Sequence, residues 1–364
     1  MLKINELLFY ICFFIVLIGF SALINGLFLK FAKTLGIRNS SNSNNDETII
    51  RWGSTSKPAF GGISFYILFL FSFILAAFKH NLIDTQVLGI LIAVSLGFMI
   101  GLADDAYNTK PLLKFLGQVL CAVILVITNT KITLFDNDIV NIALTIFWVI
   151  GMMNSINMLD NMDAITTSVS IFVCLTTLVL FVVSGDFGNI FFIICLGQVA
   201  ALLGFLYFNW NPSRMYMGDT GSQFLGVLLA AIGILFFWNA QGRDGEPLEF
   251  SRKILAAVTV FILPIVDTTT VTINRLLKKQ SPFVGGKDHT THHLSYAGLS
   301  DREVALVFCA ISLVSMFLSV YIIHFVKEWN TTTTILFGTY CVIIFTILYY
   351  LTRVKRPPKA KENK

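Results

Sequence analysis

The sequence predicts an all-α, polytopic integral membrane protein of about eleven transmembrane helices, with the N-terminus outside and the C-terminus cytoplasmic. Three observations predict it. Of 364 residues, 55% are hydrophobic and 13% charged, roughly half the charge of a soluble domain. Apolar stretches of about twenty residues, long enough to cross a bilayer, recur from end to end. Lys and Arg are distributed unevenly between the connections. Backbone groups in hydrocarbon must bond within their own segment, so such stretches are helices.

The expected spans are 6–29, 59–78, 86–103, 112–128, 139–157, 165–184, 188–208, 221–239, 254–274, 303–326 and 333–352. The first is read as a permanent helix, because its apolar run is too long for a signal peptide and no small-residue cleavage site follows. Eleven crossings put 19 of the 26 Lys and Arg residues inside and seven outside. That bias places the C-terminus in the cytoplasm. The chain reads as one membrane domain over 1–352 and a basic cytoplasmic tail over 353–364, which fixes topology and touches anionic lipid. Residues 39–48 are polar and low in complexity, and read as a mobile cytoplasmic loop. Residues 240–250 form the longest outside loop, broken by Gly242, Gly245 and Pro247. Cys12, Cys121, Cys174, Cys195, Cys309 and Cys341 all fall inside spans without a CxxC pair, and read as small apolar filler.

The chemistry is expected at the carboxylates. Asp104, Asp105, Asp160, Asp163, Asp219 and Asp267 abut apolar helices, where a mid-membrane charge costs about 2.5–3.5 kcal/mol. In this topology all six fall on or near the cytoplasmic side. Asp104 and Asp105 are adjacent and repel unless a cation lies between them. One of them can ligate a metal while the other acts as a base, or both are helix-end charges facing water. Lys114 is a partner for this pair or an interfacial anchor.

In NSINMLDNMDAI, 154–165, a spacing of three aligns Asn154, Asn157, Asp160 and Asp163 along one helical face. Such a ridge suits phosphate oxygens, metal or sugar hydroxyls, or plain inter-helix hydrogen bonding. Asp219 sits between Gly218 and a Thr-Gly-Ser turn that opens the next span, with backbone N–H groups expected to face an anion. Asn209 and Asn211 read a base edge or cap a turn. Asp267 precedes Arg275 by about two turns, on the same helical face, where an Asp–Thr or Asp–Arg contact would be structural. His289, His292 and His293 crowd a loop with Lys287 and Asp288. Zinc would need a fourth ligand, so phosphate binding or acid–base work fits better. His80 and His324 carry no assigned role.

Five blocks carry a resemblance: PAFGG at 58–62, GLADDAYNTKPLLKFLGQ at 101–118, NSINMLDNMDAI at 154–165, NWNPSRMYMGDTGSQFLG at 209–226, and PIVDTTT with the histidine loop at 264–302. In this order they resemble the polyprenyl-phosphate N-acetylhexosamine-1-phosphate transferases of glycosyltransferase family 4. These integral membrane enzymes start O-antigen (lipopolysaccharide), teichoic acid and peptidoglycan lipid intermediates. The resemblance implies transfer of a sugar-1-phosphate, GlcNAc-1-phosphate by default, from a UDP-linked amino sugar to undecaprenyl phosphate, releasing UMP. It implies Mg²⁺, with Mn²⁺ as the alternative, and a multi-pass enzyme of the bacterial inner (cytoplasmic) membrane with its site facing the cytoplasm. Membrane lipid is a partner, nucleic acid is not, and a homodimer is allowed.

The implied roles follow the matched positions. Asp104 deprotonates or positions the lipid phosphate, by direct attack or as a covalent nucleophile. Asp105 helps hold metal or the diphosphate, and Asp219 is the metal ligand. Asp160 and Asp163 line the same site as catalytic groups. Asn157, Lys114, His289, His292 and His293 bind substrate, and Asn209 lies near the uridine. Two departures stand out. The family pattern DGxDG has Asn161 and Ala164 at its glycines here, and His-x-His-His is HTTHH, with one more intervening residue. The histidine block and its GLS ending resemble the GlcNAc-1-phosphate branch. Two other readings compete: a secondary transporter using intramembrane carboxylates, which predicts midplane acids and repeated halves, and a non-catalytic membrane scaffold.

Overall fold

The computed structural model describes residues 4–34, 57–80, 84–243, 245–281 and 286–355. The loop expected at 39–48 and the tail beyond 355 lie outside the described residues. Thirteen α-helices follow in order among the described residues: α1 Ile4–Thr34, α2 Gly61–His80, α3 Thr85–Tyr107, α4 Pro111–Ile127, α5 Asp138–Leu159, α6 Ile165–Ser184, α7 Ile190–Asn209, α8 Gly218–Gly233, α9 Phe250–Val260, α10 Ile262–Leu277, α11 Thr290–Tyr296, α12 Asp301–Val320 and α13 Thr331–Val354. Starts are marked by side chains that take orphan N–H groups. Asp84 accepts from Val87, Asn137 from Ile139 and Asn189 from Phe191, and Ser300 forms a capping box with Glu303.

Nine of these helices are long and apolar enough to cross a membrane, and the number reaches ten only when the bent pair α9–α10 is taken as one broken span rather than a re-entrant loop. The 17-residue α4 is shorter. Every expected span falls on one of these elements. The segment expected at 254–274 is not one continuous helix, however. It breaks at Phe261 and turns by 81°. Pro264 stands in the first turn of α10, where it offers no N–H to the preceding turn.

The core centres on α8. In its apolar window 89% of residues are buried, against 22% for α1 and 11% for α13, which face outward. Glycines let α2 and α3 close on this central helix, as small residues do where apolar helices pack. A Cβ on Gly62 would lie 2.2 Å from the Gly221 backbone nitrogen, and one on Gly101 would lie 2.2 Å from the Asp219 carbonyl oxygen. This approach brings the C-terminal end of α3 against the N-terminal end of α8, where four of the matched blocks meet. At the other end of the bundle, the buried Arg252 guanidinium donates to the carbonyls of Ile322 and Val326, at 2.8 and 2.7 Å. It thereby closes the π-helical turn that ends α12.

Candidate active site

The centre of the site is built by α3, α4, α5 and α8. Asp104 Oδ1 accepts from the backbone N and the hydroxyl of Thr109, at 2.9 and 2.6 Å. Its Oδ2 accepts from Lys114 Nζ at 2.7 Å. The same ammonium lies 3.4 Å from Asp219 Oδ1. Lys114 therefore bridges two carboxylates that come from helices 115 positions apart in the chain. Asn157 Nδ2 donates to Asp219 Oδ1 and to Ser222 Oγ, the latter at 2.8 Å. Below this layer, buried Gln118 bonds Asn154 and Gln223 and ties α4, α5 and α8 together.

Asp105 points differently from its neighbour. Its Oδ1 accepts the Asp219 backbone N–H, and its Oδ2 accepts both the N–H and the hydroxyl of Thr220, at 2.8 and 2.6 Å. The N–H groups at the start of α8 were expected to face an anion. The anion they meet is Asp105, a carboxylate of the protein itself.

The expected ridge of Asn154, Asn157, Asp160 and Asp163 is interrupted, because α5 ends at Leu159. Asp160 is the C-cap, and its carboxylate makes no side-chain hydrogen bond or ion pair among the described residues. Burial first, then the charges of Asp219, Asp105 and Asp163, push its carboxyl up to about 8. Asp163 turns to the 209–217 loop. It accepts from Asn211 Nδ2 at 3.1 Å and from the backbone N and hydroxyl of Ser213, at 2.8 and 2.6 Å. Lys57 reaches this node, 2.8 Å from Ser213 Oγ and 3.7 Å from Asp163. Asn209 is 2% exposed. Its amide bonds the Ala164 N–H, the Thr167 hydroxyl and the Met215 carbonyl, so it joins the turn after α5 to the loop after α7.

The histidine segment is fastened to α10. Asp267 and Arg275 are both buried on α10 and form no ion pair with each other among the described residues, and of the two expected contacts it is the Asp–Thr one that forms. Asp267 accepts from the backbone N and hydroxyl of Thr290 and faces His289 Nδ1 at 2.8 Å. Arg275 grips Asp288 with two parallel bonds of 2.8 and 2.7 Å. Burial raises the Asp288 carboxyl, but Arg275 outweighs it and holds the group below the usual carboxylate range. His289 and His292 pack edge to face at 5.4 Å. Burial, and next the neighbouring His289, push the His292 imidazole down to about 3, so it stays neutral. His293 parts from them, with Nδ1 2.6 Å from the Lys355 carbonyl at the end of α13.

These groups suit a hard cation and phosphate. The Asp104 and Asp219 carboxylates sit side by side, and Mg²⁺ is commonly held by one or two carboxylates with phosphate oxygens and water. No cluster of three or more metal-ligating side chains forms among the described residues. Sequence reasoning missed Lys57, Thr109, Ser213 and Ser222, whose roles arise from bonds across the chain. Thr109, Ser213 and Ser222 lie inside the matched blocks and Lys57 stands directly before one, which is the one signal that could have pointed to them.

A lysine bridging two carboxylates at one end of an apolar helical bundle is an arrangement suited to a membrane-embedded enzyme. The profile described as Glycosyl transferase family 4 matches residues 87–237. Over 267 residues, 71% of each chain, this protein is 30% identical to the probable undecaprenyl-phosphate N-acetylglucosaminyl 1-phosphate transferase of Bacillus subtilis. It is 28% identical over 294 residues to the phospho-N-acetylmuramoyl-pentapeptide-transferase of Staphylococcus carnosus, covering 74% of this chain and 85% of that one. The corresponding enzyme of Staphylococcus saprophyticus is 29% identical over the same shares. The chain belongs to glycosyl transferase family 4, among its polyprenyl-phosphate sugar-1-phosphate transferases.

Proposed function

We infer that the protein transfers GlcNAc-1-phosphate from UDP-GlcNAc to undecaprenyl phosphate, on the cytoplasmic face of a bacterial inner membrane. The lipid product would prime a cell-envelope polysaccharide, with lipopolysaccharide O-antigen among the polymers such lipids start. The observation that carries this reading is Lys114 held between Asp104 and Asp219. Two anionic substrates can approach one another only where cations offset their charge.

In the reaction a phosphate oxygen of the lipid attacks the sugar-linked phosphorus of the nucleotide. The bond between the two nucleotide phosphates breaks, and UMP leaves. Asp104 orients the lipid phosphate and takes any proton it carries, while Lys114 draws that phosphate in. Both Asp104 oxygens already accept hydrogen bonds, which weakens the carboxylate as a nucleophile and favours direct attack by the lipid. Asp219 and Asp104 would hold Mg²⁺, which when bound supplies charge neutralisation for the diphosphate. Asp105 keeps Asp219 in place from behind. Asp160 lines the same space, and Asp163 with Asn209 shapes the loop beside it. His289 and His292 face the nucleotide sugar, and neutral His292 can donate a hydrogen bond without adding charge.

The test incubates purified protein with undecaprenyl phosphate, Mg²⁺ and a panel of UDP sugars, and follows UMP and the lipid product. UMP release with UDP-GlcNAc, abolished by EDTA, is the expected result. Protein that binds both substrates yet releases no UMP overturns the reading. Flux of a solute into sealed vesicles without chemistry would instead support a transporter.

A further inference from the structure

The short helix α11 carries His292 and His293, follows His289 directly, and is too short to hold its own shape. Isolated helices of seven residues do not persist in water, so tertiary bonds set its position. Asp267 and Arg275 supply two of them from α10. A third comes from a different element. Thr291 Oγ1 donates to Asn161 Oδ1 at 2.6 Å. The Asn161 amide is itself fixed, since its Nδ2 donates to the Met158 carbonyl at 2.9 Å. Thr291 is fully buried.

The positions of the two residues give the bond its meaning. Asn161 stands between Asp160 and Asp163, and Thr291 stands between His289 and His292. The turn that carries Asn161 is tied down just beyond it, where the Ala164 N–H donates to Asn209 and Asp163 accepts from Ser213. The bond therefore ties a short, externally supported helix to a firm base. It also joins the two places where the sequence departs from the family pattern. A glycine at 161 offers no acceptor, and His-x-His-His has one residue fewer between its histidines.

We propose that Asn161 and Thr291 are positioning residues whose hydrogen bond latches the histidine helix to the carboxylate turn, and so sets the shape of the nucleotide-sugar pocket. The proposal rests on the transfer reaction inferred above. Neither residue touches the reacting phosphates. The latch acts on binding of the nucleotide sugar and leaves the lipid-phosphate side, built on α3, α4 and α8, unchanged.

A double-mutant cycle tests it, with Asn161→Ala, Thr291→Val, their combination, and Thr291→Ser as the conservative variant. The readouts are kcat, KM for UDP-GlcNAc, KM for undecaprenyl phosphate, and the affinity for UDP alone by calorimetry. Each single change is expected to raise KM for the nucleotide sugar and to weaken UDP by about threefold to tenfold, the range for one hydrogen bond. Values of kcat and KM for the lipid should stay within about twofold, on the same scale of one neutral contact. The double variant should be no worse than the poorer single one, and Thr291→Ser should restore wild-type KM. Additive effects, an unchanged KM with only a lower melting temperature, or failure of the serine variant would overturn the latch. Asn161→Ala alters a half-buried side chain and carries the test if Thr291→Val does not fold. If the wild type releases no UMP with any UDP sugar, the transfer reading fails, and the UDP affinities still judge the latch. A wild type that binds no UDP overturns the latch as well.

Discussion

The Asp105 carboxylate accepts the backbone N–H of Asp219 at 3.0 Å, while the neighbouring Asp104 carboxylate is paired with Lys114. Two adjacent aspartates thus divide their work. In the proposed reaction one faces the substrates, while the other caps the helix that carries the proposed metal ligand. Replacing a helix cap costs about 0.5–2 kcal/mol. Asp105→Ala should therefore lower the melting temperature and reduce UMP release. Asp105→Asn keeps part of the cap, so it should retain more stability. Neither variant should change the Mg²⁺ concentration needed for half-maximal rate, whereas Asp219→Asn should raise it. A Mg²⁺ requirement that rises equally in both Asp105 variants would make Asp105 a ligand instead of a cap.

Lys114 makes an opposite pair of effects visible. Its ammonium lies 2.7 Å from Asp104 and 3.4 Å from Asp219, where it competes with any cation between them. Lys114→Gln should let Mg²⁺ bind more tightly, because two carboxylates then face the metal without an internal counterion. The same change should lower kcat on the order of 100-fold, the usual loss when one stabilising charge leaves a phosphate or oxyanion site. A Mg²⁺ titration of the rate reports both quantities. Loss of metal affinity together with kcat would place Lys114 outside this bridge.

His292 gives a pH dependence with a definite sign. Burial holds its imidazole down to about 3 in the folded protein, against 6.5 as the ordinary value. Between these limits the unfolded chain binds a proton and the folded chain does not, so stability falls as pH drops below about 6.5. His292→Gln removes that contribution. Melting temperatures between pH 7 and pH 5 should fall less steeply in the variant than in the wild type. Equal slopes would show that His292 titrates normally in the fold.

Much of the fold was legible because lipid imposes one rule. A run of apolar residues long enough to cross must be a helix, so the spans expected at 165–184 and 333–352 emerge from hydropathy alone and stand as Ile165–Ser184 and Thr331–Val354. The bend at Phe261 was not, since a proline in the first turn is compatible with either a straight start or a break. The candidate site was legible as a list of residues and poorly legible as a set of partners. Spacing suggested that Asp267 and Arg275 face the same way, yet each found its partner in the 288–290 segment. The ridge from Asn154 to Asp163 assumed a helix that stops at Leu159. Asn209, expected beside the uridine, has its amide bonded to three groups of the protein. Bonds between distant segments are set by packing, and no local pattern encodes them.

The two positions where the family pattern has glycine behave differently here, and replacing each with glycine should separate them. Ala164 adopts φ +65° and ψ −10°, the left-handed region that an L-residue enters at a cost. Its N–H is held there by Asn209. Ala164→Gly should relieve that strain and raise stability by about 0.5–1 kcal/mol, after the larger chain entropy that glycine loses on folding. KM for the nucleotide sugar should stay at the wild-type value, since no hydrogen bond changes. Asn161→Gly removes an acceptor and should raise KM without any gain in stability. Thermal melts and steady-state kinetics on the two variants suffice to compare them. A stability gain at 161, or none at 164, would mean that the strain lies elsewhere in the turn.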